Sequence, residues 1–140
     1  MVRFSDFDLM LLLIQNSRQT NVQLAKKLRV TETAIRKRIK KLEEKKLITR
    51  YTIETDPKKL GYWLDVFLGI KTHPEGHNAV LTGLKEEKNI IQLHAASGEY
   101  NIIARCWFKD SKQLTQYTRN LREKKEILRI TPSLIQERLK

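Results

Sequence analysis

A basic stretch at residues 20–48 constrains the fold more than any other part of the chain. Its sequence, TNVQLAKKLRVTETAIRKRIKKLEEKKLI, predicts two short helices that are joined by a tight turn. Thr20 followed by Gln23 is typical of a capping box that opens the first helix, and Thr31 is a good N-cap for the second. The second helix carries one apolar face at helical spacing, formed by Ile35, Ile39 and Leu42.

The opposite face of the second helix is strongly basic. Residues 26–46 hold ten Lys or Arg against three Glu, so seven of the chain's twelve net positive charges lie in 21 residues. A solvated helix face is the ordinary interpretation of such charges, but this density favours a polyanionic partner, most simply nucleic acid. The pattern therefore predicts a helix-turn-helix that binds double-stranded DNA.

Groove chemistry suggests roles for the exposed side chains of this segment. Arg36 is expected to read bases, because its guanidinium can pair with O6 and N7 of guanine in the major groove. Thr33 and Lys37 are secondary candidates, and Thr31 on the same surface is expected mainly to cap the helix. Contacts to phosphates, which fix register without reading sequence, are predicted for six further cations: Lys26, Lys27, Arg38, Lys40, Lys41 and Arg50.

Another helix is predicted before the basic pair, at residues 5–16. Ser5 and Asp8 indicate a second capping box. The face that we expect to be buried consists of Phe7, Met10, Leu11 and Ile14. Three helices of this size make a small DNA-binding core.

A change of pattern follows these helices. The alternating, β-branched residues ITRYTIET predict a strand or wing, and Asp56-Pro57 interrupts regular structure. We place the domain boundary in the segment LGYW, which gives a helix-turn-helix domain with its wing and linker at residues 1–60 and a second domain at residues 61–140.

The second domain is predicted to be a ferredoxin-like βαββαβ sheet, which makes the whole chain α+β. Its patterns read strand, helix, strand, strand, helix, strand, with both helices on one face of the sheet. The central strand NIIARCWF is largely apolar on both faces, so the uncovered face needs a cover, most economically a twin subunit. Pro132 lacks an N–H donor, which indicates that the last strand is an edge or is bulged.

Composition excludes several classes of protein. The chain has no run of about 18 apolar residues that could span a bilayer, and Ser5, Asp6 and Asp8 interrupt its start in a way that is not typical of a signal peptide. We therefore expect a cytoplasmic protein without a membrane partner. Cys106 is the only cysteine, which excludes an internal disulfide and a cysteine-based zinc site, and we expect its thiol to be buried and structural.

Over essentially all of its length the chain resembles the Lrp/AsnC, or feast/famine, family of bacterial and archaeal transcriptional regulators. The resemblance rests on the helix-turn-helix followed by LEEKKLITRYT, on DPKKLGY, on SGEYN and on RITPSLI. It implies a homodimer formed through the C-terminal sheets, often assembled into tetramers or octamers. It also implies a small-molecule effector, usually an amino acid, bound by Gly98, Glu99, Tyr100, Asn101 and Ser133.

The chain departs from the family pattern at three positions. Arg29 stands in the turn of the helix-turn-helix where many relatives have Gly, at a position that tends toward left-handed φ, which costs about 1 kcal/mol for a non-Gly residue. Arg29 also adds one more cation near the phosphates. Asn101 stands where an acidic residue is common, and Pro132 where Thr is frequent. The departures at Asn101 and Pro132 imply an effector different from the familiar ones. The alternative interpretation of SGEYN is a plain hairpin turn in which Gly98 supplies a positive φ.

Two other functions fit parts of the sequence. A sequence-neutral, chromatin-like protein could coat DNA by charge alone, since each chain carries +12. Sirohaem decarboxylases resemble the same two-domain plan, but His73 and His77 flank a loop and His94 is expected in the core, so no ligand set is indicated. We therefore predict no enzymatic activity, no metal and no other cofactor. An RNA-binding sheet is disfavoured because the exposed aromatic motif is missing.

Overall fold

Three helices with hydroxyl-bearing caps form the first unit of the chain. In the computed structural model, which describes residues 3–140, they span Asp6–Gln15 (α1), Asn21–Leu28 (α2) and Glu32–Glu44 (α3). Capping boxes open α1 at Ser5 and α2 at Thr20, which confirms both predictions. The hydroxyl of Thr31 accepts the Ala34 N–H at 3.1 Å and opens α3.

Four fully buried side chains form the centre of this unit: Leu9, Leu24, Ile35 and Leu42. Ile39 packs against them, so the predicted apolar face of α3 is confirmed. The predicted buried face of α1 is wrong, because Phe7, Leu11 and Ile14 are exposed and only Met10 is partly buried. The sequence DFDLMLLLIQ is apolar around most of the helix, so its periodicity does not distinguish the face that packs inward.

The turn between α2 and α3 is made by a left-handed arginine. Arg29 has φ 56° and ψ 47°, as predicted for this position. The N–H of Val30 then donates to the carbonyl of Ala25 at 3.0 Å, which closes the helix end in the manner of a Schellman motif. Lys46, just beyond α3, is the second described non-Gly residue with positive φ, at 57°.

The strand predicted after α3 is absent. Residues 49–56 have no regular secondary structure, and the hydroxyl of Tyr51 donates to Glu43 Oε1 at 2.7 Å. A strand needs a hydrogen-bonding neighbour, and the described part of this unit supplies none. A 3-10 turn at Pro57–Leu60 follows and ends at Gly61, whose φ is 89°.

The second unit is a four-stranded antiparallel sheet with two helices, as predicted for a ferredoxin-like domain. Its elements are Leu64–Thr72 (β1), His77–Lys85 (α4), Ile90–Ala95 (β2), Ile102–Phe108 (β3), Ser111–Arg122 (α5) and Ile127–Leu134 (β4). The strand order is β2-β3-β1-β4. The contacts divide the chain between Glu54 and Thr55, whereas the boundary at residues 60/61 stays a prediction about functional domains.

The core of the second unit lies between the two helices and one face of the sheet. Its buried side chains come from β1, β3, β4, α4 and α5, and they include Val66, Leu68, Ile70, Ile102, Ala104, Ile127, Ile130, Val80, Leu84 and Leu121. Cys106 is fully buried among them, and burial raises the pKa of its thiol to about 12. The thiol is therefore protonated at neutral pH, which agrees with a structural role.

The opposite face of the sheet, the outer face, carries a mixture of apolar and paired charged side chains. Asp65 of β1 and Arg105 of β3 form a two-pronged ion pair with N–O distances of 3.0 and 2.7 Å. Phe67 and Trp107 lie on the same face, and the ring of Tyr62 lies 6.1 Å from that of Trp107. A second layer against this face would bury aromatic side chains and a satisfied ion pair.

The last strand lies at the edge of the sheet, as Pro132 predicted. Pro132 faces Leu68 in the β1–β4 register, and β4 has β1 as its single neighbour. An edge strand tolerates the missing N–H because its outward side needs no partner in the sheet. The register shift in this pair lies elsewhere, between Lys71 and Thr72.

Paired substitutions in α1 test which of its faces contributes to the free energy of unfolding. Leu9→Ala should lower the free energy of unfolding by about 2–5 kcal/mol, because it leaves a cavity in the core. Leu11→Ala is the matched control and should cost much less, since Leu11 is 41% exposed whereas Leu9 is 0% exposed. Denaturant unfolding of both variants measures the difference, and equal losses would contradict the assigned face.

Candidate nucleic-acid interface and effector loop

The basic surface of α3 lies opposite its buried face. Ile35 and Leu42 point into the core, and the side chains predicted to meet DNA are all exposed on the other side: Thr33, Arg36, Lys37, Lys40 and Lys41. Each residue turns the helix by about 100°. This rotation puts Thr33, Lys37 and Lys40 near the middle of the exposed face and Arg36 toward one flank.

Arg38 differs from the other cations because it is committed to contacts within the protein. Its Nη1 lies 2.6 Å from Asp6 Oδ1, and its guanidinium lies over the ring of Phe4 at 4.9 Å. These contacts tie the flank of α3 to the beginning of α1. A side chain held in this way is a poorer candidate for a phosphate contact than its exposed neighbours.

The remaining predicted cations come from other elements of the first unit. Lys26 and Lys27 are exposed in the last turn of α2, and the Lys27 amine donates to Gln19 Oε1. Arg50 lies in the irregular segment after α3, where it and Arg18 line a groove beside the end of α1. The fold therefore brings Arg50 close to the C-terminal end of α1.

A second groove in this unit brings together Arg29, which the sequence predicts near the phosphates, and Arg3, which the sequence analysis did not assign to the DNA-binding surface. The arginine groove has a volume of about 910 Å³ and is lined by Arg3, Phe4, Arg29, Val30, Thr31, Ala34 and Arg38. Arg3 is separated from the others along the chain, so only the fold brings it here. The left-handed tendency of the Arg29 position was the available signal in the sequence.

The predicted effector loop at residues 97–101 turns at Gly98, which has φ 120°, in agreement with the expected positive φ. The side-chain amide of Asn101 makes three hydrogen bonds to one residue of β1. Its Oδ1 accepts the Thr72 N–H at 3.0 Å, and its Nδ2 donates to the Thr72 carbonyl at 3.2 Å and to Oγ1 at 3.0 Å. A carboxylate at this position would lack both donors, which gives a physical reason for Asn.

Tyr100 lies across the backbone of β1 and is held from β4. A Cβ built on Gly69 would lie 2.7 Å from Tyr100 Cδ2, so only glycine leaves room for the ring. The Tyr100 hydroxyl donates to Thr131 Oγ1 at 2.8 Å. Thr131 and Ser133 point to the same side of β4, opposite Gly69 and Phe67 respectively.

An exposed ion pair borders the loop. Arg129 Nη2 lies 2.8 Å from Glu99 Oε1, and the Arg129 guanidinium lies 5.2 Å from the centre of the Tyr100 ring. The structure therefore gathers Glu99 and Tyr100 with Arg129 and Thr131, whereas Asn101 turns its amide to Thr72. Gly69, Arg129 and Thr131 were missed in the sequence because they are distant from the loop along the chain.

The histidines do not gather into a site. His94 is exposed on the edge strand β2, so its predicted place in the core is wrong. His77 Nδ1 lies 3.4 Å from Thr72 Oγ1, and His73 is exposed. Among residues 3–140, no group of three or more His, Cys, Asp or Glu could hold a metal ion. None of the described helices is long and apolar enough to cross a membrane.

Comparison with known proteins agrees with this two-part geometry. Residues 5–49 match a family model described as winged helix-turn-helix DNA-binding, and residues 65–140 match one described as the Lrp/AsnC ligand binding domain. The chain is 39% identical over 130 residues to the HTH-type transcriptional regulator LrpA of Pyrococcus horikoshii, covering 92% of each chain. It is 40% identical to the LrpA of Pyrococcus abyssi over the same length and coverage.

A solved structure shares the fold. A transcriptional regulator from Neisseria meningitidis in complex with L-methionine superposes with a TM-score of 0.83 at 17% identity, covering 100% of this chain and 93% of that one.

Replacement of Asn101 tests whether its amide is structural. Asn101→Asp should lower the free energy of unfolding by about 1–3 kcal/mol at neutral pH, because two donors are lost and oxygen faces oxygen. The folded state should raise the pKa of the introduced carboxyl, so the loss should shrink as pH falls through that raised pKa toward the unfolded value of about 4. Glu99→Gln, which alters an exposed pair, is the control and should cost at most ~1 kcal/mol. A pH-independent loss in urea unfolding would argue against this role.

Proposed function

The chain belongs to the Lrp/AsnC family of DNA-binding transcriptional regulators, and we propose that it acts as a homodimer that reads a pseudo-palindromic duplex with α3 and responds to an amino acid. The observation that carries the proposal is the exposed row of Thr33, Arg36, Lys37, Lys40 and Lys41 opposite the buried face of α3. A rigid helix with one apolar and one basic face fits the major groove.

We assign the roles within this surface by position and by free donors. Arg36 is the proposed reader of guanine, with Thr33 and Lys37 as further base contacts, and Thr31 caps α3. Phosphate contacts are proposed for Lys26, Lys27, Lys40, Lys41 and Arg50. Arg38 was predicted to contact phosphate, but its bonds to Asp6 and Phe4 support a positioning role that fixes α3 against α1.

The proposed dimer forms through the outer face of the sheet. Phe67 is 38% exposed there, and the neighbouring rings of Trp107 and Tyr62 extend the aromatic surface. Association through this face would remove that apolar surface from water, which is favourable. A two-fold dimer would present two copies of α3 to half-sites one helical turn, about 34–36 Å, apart.

The proposed effector is an amino acid bound at residues 97–101, next to β4. Glu99 and Arg129 place opposite charges 2.8 Å apart at the surface, which suits the ammonium and carboxylate groups of a zwitterion. Gly98, Tyr100 and Ser133 border the same region, and Asn101 supports the loop through Thr72. The L-methionine complex of the Neisseria meningitidis regulator, which shares this fold, supports the ligand class.

Selection of bound duplexes from a random pool tests the proposal. At about 150 mM salt purely electrostatic binding is already weakened, so a regulator should enrich one pseudo-palindrome with fixed half-site spacing. A chain that enriches no sequence would be the chromatin-like coating protein that its charge of +12 also permits.

The selected duplex then tests Arg36. Arg36→Ala should weaken binding to that duplex by about 1–3 kcal/mol and relax preference at one position of each half-site. Binding to random DNA should change less. Lys41→Ala is the control and should weaken both duplexes alike, as a phosphate contact does. Equal losses for Arg36→Ala on both duplexes would make Arg36 a phosphate contact as well.

Phe67→Glu tests the proposed dimer surface. A carboxylate in the middle of the outer face would be desolvated on association, so sedimentation equilibrium should show a shift from dimer to monomer. Leu139→Glu is the control, because Leu139 is apolar but 87% exposed, and it should leave the assembly unchanged. A dimer that survives Phe67→Glu would place the interface elsewhere.

A further inference from the structure

The arginine groove is a cationic site that is not explained by the row of side chains on α3. Three arginines line it, Arg3, Arg29 and Arg38, and no acidic side chain is among the described residues of its lining. Arg38 is neutralised by Asp6 at 2.6 Å. The guanidinium groups of Arg3 and Arg29 are left as net positive charge at this place.

Arg29 occupies this position at a conformational cost. Its φ of 56° and ψ of 47° lie in the left-handed region, which glycine adopts freely and an arginine does not. Its side chain is exposed, and no described residue accepts a hydrogen bond from its guanidinium. The left-handed backbone closes the end of α2, and the exposed guanidinium remains available to a ligand.

The groove lies on the flank of α3 that faces α1. Ala34 and Arg38 of α3 form part of its wall, and at about 100° per residue they lie on the side of the helix away from Arg36. A duplex with α3 in its major groove has one phosphate backbone along each flank of the helix. The arginine groove therefore lies where one of these backbones would pass.

We propose that the arginine groove binds a backbone phosphate of duplex DNA, with Arg29 as the contacting residue. The planar guanidinium suits two-pronged recognition of a phosphate. Arg38, held by Asp6, forms part of the wall, and Arg3 adds a further positive charge to the lining. The inference rests on the proposed function and adds a contact that sets how α3 enters the major groove from the flank opposite Arg36.

Arg29→Gly in the full chain separates this role from a structural one. The change removes the left-handed strain, so the melting temperature should rise by a few degrees. It also removes the phosphate contact, so affinity for a duplex at 150 mM salt should fall about fivefold for each lost contact. The slope of log K against log salt should become less negative by about 0.9 for each contact.

Two further variants make the result specific. Lys46→Gly is the matched control, because Lys46 is the other left-handed cation, at φ 57°, and lies beyond the far end of α3, roughly 20 Å along the helix. It should raise the melting temperature as well and leave the salt slope nearly unchanged. Arg29→Lys keeps the charge and should retain most of the slope.

The possible outcomes are distinct. An Arg29→Gly chain with the wild-type slope would overturn the phosphate contact while leaving the proposed DNA binding intact. Equal slope changes in Arg29→Gly and Lys46→Gly would also overturn it, because net charge alone would then explain the loss. A wild-type chain that binds no duplex would remove the proposed function and this contact together.

Discussion

The DNA-binding surface depends on the burial of one helix face. Ile35 and Leu42 of α3 are held against Leu9 and Leu24, and burial of each such side chain stabilises the fold by about 1.5–3 kcal/mol. This packing leaves α3 little freedom to rotate about its axis, so it decides that Lys37 and Lys40 face outward. The basic row is thus a consequence of the apolar one, and charge without that packing would give only a mobile cationic helix.

Much of the fold can be predicted from local sequence patterns. The three hydroxyl caps, the βαββαβ order and the edge position of Pro132 all appear in the structure where the patterns indicate them. Periodicity identifies the buried face of α3 correctly because the apolar and the charged residues lie on opposite sides of that helix. The left-handed conformation of Arg29 was also predictable, because the tight turn that joins α2 to α3 demands it.

The failures have physical causes that no single segment reveals. α1 is apolar around most of its circumference, so its inward face is chosen by the shape of α2 and α3. The strand predicted after α3 has no neighbouring strand to pair with, and β-branched residues alone do not create one. The roles of Asn101, Arg129 and Arg38 depend on partners that are 29, 30 and 32 residues away along the chain. Such pairings are properties of topology, and they matter most at the candidate sites.

Gly69 is the point at which the proposed effector loop contacts the outer face of the sheet. The Tyr100 ring fills the space that a side chain on β1 would otherwise take, so a residue of the loop serves as a piece of the sheet surface. A ligand that displaced this ring from β1 would leave a cavity in the outer face. A ligand that held the ring against β1 would keep that face continuous. Ligand binding and dimer formation would then be coupled directly through the shape of the outer face. No conformational change elsewhere in the domain would be required.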